Sequence, residues 1–275
     1  MAVKIPILMY HQISDDVHPR YRDYTATVKA FRAQMKVLKL LNYESISFDK
    51  LLECKEGKAK LPRKPIIITF DDALEDAIDN SVPILKDFGF TAMYYVTTGY
   101  VGTRSNWMIP EVNIVFQVAP WPKIKNLCSM GFELGSHSVT HPHLNEVTAE
   151  ECLREMTESR RTLEETLGRE VRHMAYPHGA FNKTVRGLAY TSGYYTATTC
   201  EPTFAKLTGD LLSLPRFNIG MEDTLIDFIS KLYIAKAPTA TLRYYNGVLR
   251  KNIPAPVRKF LRKYIFKRKV TTPDV

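Results

Sequence analysis

The stretch Ile66-Ile67-Ile68-Thr69-Phe70-Asp71-Asp72 constrains this chain more than any other. Apolar and β-branched residues run straight into two carboxylates. The run reads as a strand buried on both faces. Adjacent acids cannot sit inside such a strand without a large desolvation cost. They belong just past its C-terminal end, where they need a metal, a cation or water. A plainer reading also stands: Asp72 is a good N-cap for the helical pattern that follows from Ala73.

The rest of the chain alternates between the two periods. Strand patterns fall at 4–10, 43–46, 90–96, 132–135, 171–176, 194–199 and 211–217, besides the central run. Helical patterns fall between them, at 28–41, 48–54, 73–88, 121–130, 148–167, 182–192 and 223–235. Thr148 and Glu151 form a capping box, and Gly131 and Gly168 stand where helix C-termini are expected. Such alternation predicts an α/β fold with a mostly parallel sheet, and its length suits a (β/α) barrel. The alternative, an open doubly wound sheet, lacks a Gly-rich phosphate loop. The long connection 97–120 is a candidate functional loop.

Polar residues recur just after the predicted strands: His11, then Asp71 and Asp72, then His137 and His141, then Pro177-His178-Gly179, and, within or after the last strand, Arg216 and Asn218. In a barrel the C-terminal strand ends share one rim, where active sites are built. His137 and His141 with a strand-end Asp make a two-His, one-carboxylate ligand set. That set suits Zn²⁺ with open positions, and also non-haem Fe(II). The second carboxylate is then free to act as a general base.

These residues resemble the NodB-type polysaccharide deacetylases, carbohydrate esterase family 4. Thr69-Phe70-Asp71-Asp72 resembles the first motif, His137-Ser138-Val139-Thr140-His141 the second, and Tyr176-Pro177-His178-Gly179 the third. Ile7-Leu8-Met9-Tyr10-His11-Gln12 looks like the start of a branch whose last-motif His lies at the N-terminus. The resemblance covers about residues 4–235 and implies a distorted (β/α) barrel of about seven strands. It implies metal-dependent hydrolysis of an N-acetyl group on an amino-sugar-containing saccharide or glycolipid, through metal-activated water. Asp71 would be the base, His11 the acid, and Arg216 would keep Asp71 ionised. Asp72, His137 and His141 would hold the ion, Zn²⁺ first and Co²⁺ or Ni²⁺ as alternatives. Pro177, His178 and Gly179 would line the oxyanion and substrate side. An O-acetyl esterase, an N-deformylase and a non-catalytic saccharide binder are the competing readings.

Three departures stand out. His178 replaces the usual Tyr or Phe of the third motif, the arginine often found before that motif's proline is absent, and no fourth motif is evident. Trp107 is a candidate for the sugar-stacking role. His18, His143 and His173 have no motif support and read as structural or exposed.

The formal charge of +9 is uneven. Residues 243–269 hold ten Lys or Arg and no acid, whereas in residues 1–242 the 28 basic and 28 acidic residues cancel. The expected organisation is a deacetylase-like barrel over 1–240 and a basic amphipathic helical extension over 241–275. Apolar positions 257, 260, 261, 264 and 265 share one helical face. This composition suits an anionic membrane surface, contacted through 256–269. A lipid-linked sugar is therefore a candidate partner. Nucleic acid is not, because no recognised module accompanies the charge. No signal-peptide or membrane-spanning pattern is seen, so the expected location is cytoplasmic, peripheral to the membrane's inner face. The four cysteines form no CxxC pair and read as free buried thiols. Nothing in the sequence sets an oligomeric state.

Overall fold

The computed structural model describes residues 3–234 and Pro256. Pro256 apart, the extension expected over 241–275 lies outside the described residues, as does the membrane-facing helix expected through 256–269.

Seven strands form one all-parallel sheet: β1 (Ile7–Tyr10), β2 (Pro65–Phe70), β3 (Met93–Val96), β4 (Glu133–Ser136), β5 (His173–Ala175), β6 (Thr196–Thr198) and β7 (Phe217–Asn218). Their spatial order is β6-β5-β4-β3-β2-β1-β7. The two-residue strand Glu44–Ser45 pairs with the start of β2. The sheet curls into an incompletely closed barrel whose edges meet through a parallel bridge, Thr198↔Leu214. The expected strand over 211–217 reduces to that bridge and β7. Pro215 has no N–H to give to a ladder, so pairing lapses there.

Strand alternation decides what faces where. Leu8, Tyr10, Ile66, Ile68, Phe70, Tyr94 and Leu134 belong to the larger apolar cluster, shared with helix residues. There Phe70 stacks on Tyr94 at 4.7 Å and on Tyr10 at 5.5 Å, pairs worth about 1 kcal/mol each beyond area burial. Ile5, Ile7, Ile67, Met93, Tyr95 and Ala175 form a second cluster, on the opposite face of the strands. Carried past the strand ends, the parity of this second set continues through Met9 to His11, through Thr69 to Asp71, and through Gly135 to His137. Gly135 serves this face directly, because a Cβ there would stand 2.7 Å from the Tyr95 ring.

The helix after β2 spans Glu75–Phe88, later than expected, with Leu74 as its N-cap and no side-chain cap. Asp72 is therefore not a helix cap. It and Ala73 turn the chain at φ +70° and +51°. Among the described residues, no helix is long and apolar enough to cross a membrane.

Candidate active site

The rim at the C-terminal strand ends opens into a cavity of about 340 Å³. His11, Asp71, Asp72, Trp107, Glu111, His137, His141 and His178 all line it. The structure thus brings together residues spread over 168 positions of sequence, from His11 to His178. Asp71 and Asp72 are each 2% exposed and His137 is 1% exposed, so their partners decide their charge.

Asp71 faces Arg216. The guanidinium donates Nη1–H to Oδ1 at 2.6 Å and Nη2–H to Oδ2 at 2.8 Å. It also donates to the Thr69 hydroxyl and, through Nε, to the Thr199 carbonyl. Arg216 is itself fully buried and lies over the Tyr95 ring. Burial alone would raise the Asp71 pKa, but the Arg216 charge, His137 and the paired hydrogen bonds outweigh it and bring it to about 2. Asp71 is therefore ionised at any working pH. Its Oδ2 lies 3.8 Å from His11 Nε2 and 3.8 Å from His137 Nε2.

Asp72 Oδ1 has no protein donor although it is buried. It points at His137 Nε2, 3.6 Å away, and at His141 Nε2, 3.5 Å away, and those two nitrogens are 3.2 Å apart. His137 Nδ1 bonds the Ala175 carbonyl at 2.9 Å, which places the proton on Nδ1 and leaves Nε2 as a lone pair. Burial pushes both rings toward the neutral form, His137 to about 4 and His141 well below its usual range, the latter also repelled by His137. The His137 lone pair, His141 Nε2 and the Asp72 carboxylate converge as the donor set of a cation site. Burial and the neighbouring Asp71 raise the Asp72 pKa well above its usual range, a shift that a bound cation would oppose. Tyr21 supports it from behind, with its hydroxyl 3.5 Å from Asp72 Oδ2.

The backbone around these groups is strained where it aims them. Among the described residues, five of the seven non-glycine residues with positive φ are Asp72, Ala73, Ser138, His141 and His178. Each costs on the order of 1 kcal/mol or more, and such outliers cluster at functional sites. Buried Glu155 offsets part of this cost. Its carboxylate accepts the Val139 and Thr140 N–H groups and the Thr140 hydroxyl, each at 2.8 Å. Gly99 closes the same loop from above. Its N–H bonds the Val139 carbonyl at 2.9 Å, and a Cβ would meet that oxygen at 2.6 Å.

Of the third-motif residues, Gly179 gives its N–H to the Tyr176 carbonyl, so it is not available to an oxyanion. The His178 ring centroid stands 4.4 Å from that of His141. Trp107 packs against His141 at 5.3 Å, and Asn218 lines the cavity wall. Cys200 corrects the expectation of buried thiols: it is exposed and lines this cavity. Cys54 and Cys152 are buried as expected. Sequence reasoning missed Tyr21, Tyr24, Glu111 and Glu155. Glu155 carried a signal, an acid on the apolar stripe of an amphipathic helix; Tyr21, Tyr24 and Glu111 carried none.

Residues 58–197 match the sequence model of the family described as polysaccharide deacetylase. The chain belongs to the polysaccharide deacetylase family. Members of this family are hydrolases acting on carbon–nitrogen bonds. Among curated relatives, YxkH of Bacillus subtilis is 26% identical over 216 residues, 78% of this chain and 71% of that one. The poly-β-1,6-N-acetyl-D-glucosamine N-deacetylase of Staphylococcus aureus is 24% identical over 172 residues. That match covers 58% of this chain and 56% of the enzyme. Among solved structures, the Streptococcus pyogenes deacetylase PplD, in complex with acetate, superposes with a TM-score of 0.71 at 26% identity. It covers 84% of this deacetylase-family chain and 99% of PplD. BC0361, a polysaccharide deacetylase from Bacillus cereus, gives 0.70 at 28% identity, over 84% of this chain and 69% of that one. The half-barrel of seven parallel strands is thus the family's fold.

The buried histidines set a pH limit on the metal-free protein. Burial lowers His11 to about 4 against Asp71, which pulls it up, and lowers His137 to about 4. An unfolded histidine titrates near 6.5. The unfolded chain therefore binds more protons between these values, and stability is lost as pH falls from 6.5 to 4. Each ring contributes about 3 kcal/mol over that window. Asp72, raised well above its usual range by burial and Asp71, acts in the opposite sense in the metal-free protein. The melting temperature of chelated Asp72→Asn, which lacks that group, should therefore drop steeply between pH 6.5 and 4; a flat profile there would show that these rings are not held neutral.

Proposed function

We propose that this chain removes the N-acetyl group from an amino sugar within a saccharide, at a divalent ion, Zn²⁺ in the first instance, held by Asp72, His137 and His141. The observation that carries this reading is the pairing of two carboxylates with opposite circumstances. Asp72 Oδ1 is turned, without a protein donor, toward Nε2 of His137 and of His141, while Asp71 is locked into its charged form by Arg216. The names of the Staphylococcus aureus relative and of the acetate complex of PplD support acetyl as the group removed.

When bound, the ion would supply Lewis-acid polarisation and lower the pKa of water toward neutrality. The chain's own groups do the remainder. Asp71 takes a proton from the water that adds to the amide carbon, and the C–N bond then breaks with a proton delivered to the departing nitrogen. His11 is placed for that delivery, since its Nε2 faces Asp71 Oδ2. Because burial keeps the resting ring neutral at pH 7, the proton it delivers is one it receives during turnover, from the side of Asp71. Tyr24 and Trp107, with Met108 and Val112, give the cavity an apolar wall against which a sugar face and an acetyl methyl can pack.

The test is acetate release from matched oligosaccharides carrying N-acetyl or O-acetyl groups, with β-1,6-linked N-acetylglucosamine oligomers in the panel. The proposal expects acetate and a new primary amine from the N-acetyl substrates. Acetate from the O-acetyl substrates alone would make the protein an esterase and overturn it.

A further inference from the structure

A second group of imidazoles and a carboxylate stands at the mouth of the same cavity. Glu111 comes from the short helix Ile109–Val112, His143 from the loop after His141, and His178 from the turn Pro177–Gly179. One donor atom of each lies within 4.8 Å of the other two. We infer that Glu111, His143 and His178 form a second divalent-metal site, for Zn²⁺ or a similar borderline ion.

The spacing carries the argument. His143 Nε2 lies 3.3 Å from Glu111 Oε1, and His178 Nδ1 lies 3.6 Å from the same oxygen. The corresponding separations in the inner group are 3.2, 3.5 and 3.6 Å. Donors about 2.1 Å from a tetrahedral ion are about 3.4 Å apart, which the inner group and the two separations to Glu111 approximate; the two outer histidine nitrogens lie within 4.8 Å of each other. The tautomer agrees. His178 Nε2 faces the His141 carbonyl oxygen at 3.4 Å, an atom that can only accept, so the proton belongs on Nε2. Nδ1 is then a lone pair aimed at Glu111 Oε1, an oxygen that His143 Nε2 can reach as a donor when no ion is bound. A cation among the three would take the place of that one proton. A ring N–H given to a backbone carbonyl is the usual way a ligating histidine is oriented.

The backbone and the ring packing serve the same arrangement. His178 sits at φ +58°, in the left-handed region, a cost that orients its side chain over the cavity. The His143 and His178 rings are parallel, 3.8 Å apart at 8°. Their in-plane lone pairs are parallel too, so joint coordination requires the more exposed His143 ring to turn toward Glu111. Side-chain exposures of 50% for Glu111, 42% for His143 and 20% for His178 leave the group open to an ion from solution. Two imidazoles and one carboxylate favour zinc-like ions over Ca²⁺ or Mg²⁺, which prefer oxygen donors. The comparable trio Asp49, Glu133 and His173 is otherwise occupied: Glu133 caps the N–H groups of Phe48 and Asp49, and His173 bonds Thr196. An ion at the outer group would keep coordination positions open toward the cavity, where sugar hydroxyls can fill them.

This inference does not rest on the deacetylation reading, and counting ions separates the two. Untagged full-length protein is stripped with chelator and titrated with Zn²⁺ by calorimetry, with bound zinc measured after dialysis. The wild type should bind two ions per chain. Glu111→Gln and His143→Ala should each bind one, with the weaker step weakened roughly 10- to 100-fold or lost. His137→Ala/His141→Ala should also bind one, the weaker. Glu111 is half exposed, so Glu111→Gln does not threaten the fold. One ion in the wild type that survives both outer substitutions, or two ions in Glu111→Gln and His143→Ala, would overturn the inference. One ion lost with His143→Ala yet kept in His137→Ala/His141→Ala would support it and count against the inner site instead.

Discussion

Asp71→Asn is expected to lower acetate release by about 10³-fold while the zinc count stays at the wild-type value. Removing a positioned general base typically costs 10²- to 10⁴-fold. Asn keeps the shape of the side chain and its carbonyl can still accept from Arg216, but it cannot hold a proton at neutral pH. The inner donors Asp72, His137 and His141 are untouched. The check is steady-state acetate release beside elemental analysis of the same preparation. Near wild-type turnover would show that another group takes the proton. Loss of metal together with activity would show that Asp71 holds the ion rather than the proton.

The second large effect concerns stability. Arg216→Met leaves the Asp71 carboxylate buried without its cation, an error that costs about 3–5 kcal/mol when one partner of a buried pair is removed. The sign of its pH dependence is fixed by the same pair. In the wild type Asp71 is held at about 2 by Arg216, so between pH 7 and 4 its protonation does not change. In Arg216→Met, burial prevails and raises Asp71 above the unfolded carboxylate range near 3.9. A group raised in this way stabilises the fold at low pH and loses that contribution as pH rises. The difference in unfolding free energy between wild type and variant should therefore be largest at pH 7 and shrink toward pH 4. The double variant Asp71→Asn/Arg216→Met should recover most of the loss, because the stranded charge is gone. A pH-independent gap, or no recovery in the double variant, would mean that Arg216 matters for packing against Tyr95 and Thr199 instead.

The barrel and the inner group were legible because they depend on local pattern. The run from Ile66 to Phe70 could only be a buried strand, and its period of two carried Asp71 inward beside His11 and His137. That two histidines and a strand-end acid meet was legible from residue type and spacing; which of the two acids would hold an ion came only from the resemblance to the deacetylases. The seam was not legible, because pairing at 211–217 depends on one proline and on how far the sheet curls. Nor was the reading of Asp72 as a helix cap excluded until the backbone showed left-handed turns at Asp72 and Ala73. Glu111, His143 and Tyr21 were invisible for a different reason. Their neighbours are set by loops that cross the rim, and no periodicity records where a loop lies down. The long connection 97–120 was flagged for its length alone, and the structure shows that it delivers Trp107 and Glu111 to the cavity.

The most direct test of the account is acetate release from an N-acetylglucosamine oligomer by one preparation of protein, before chelation, after chelation and after return of Zn²⁺, beside His137→Ala/His141→Ala. The account predicts that release stops on chelation, returns with zinc in the wild type, and does not return in the variant. Chelated, metal-free protein that goes on releasing acetate, or a variant as active as the wild type, would contradict it.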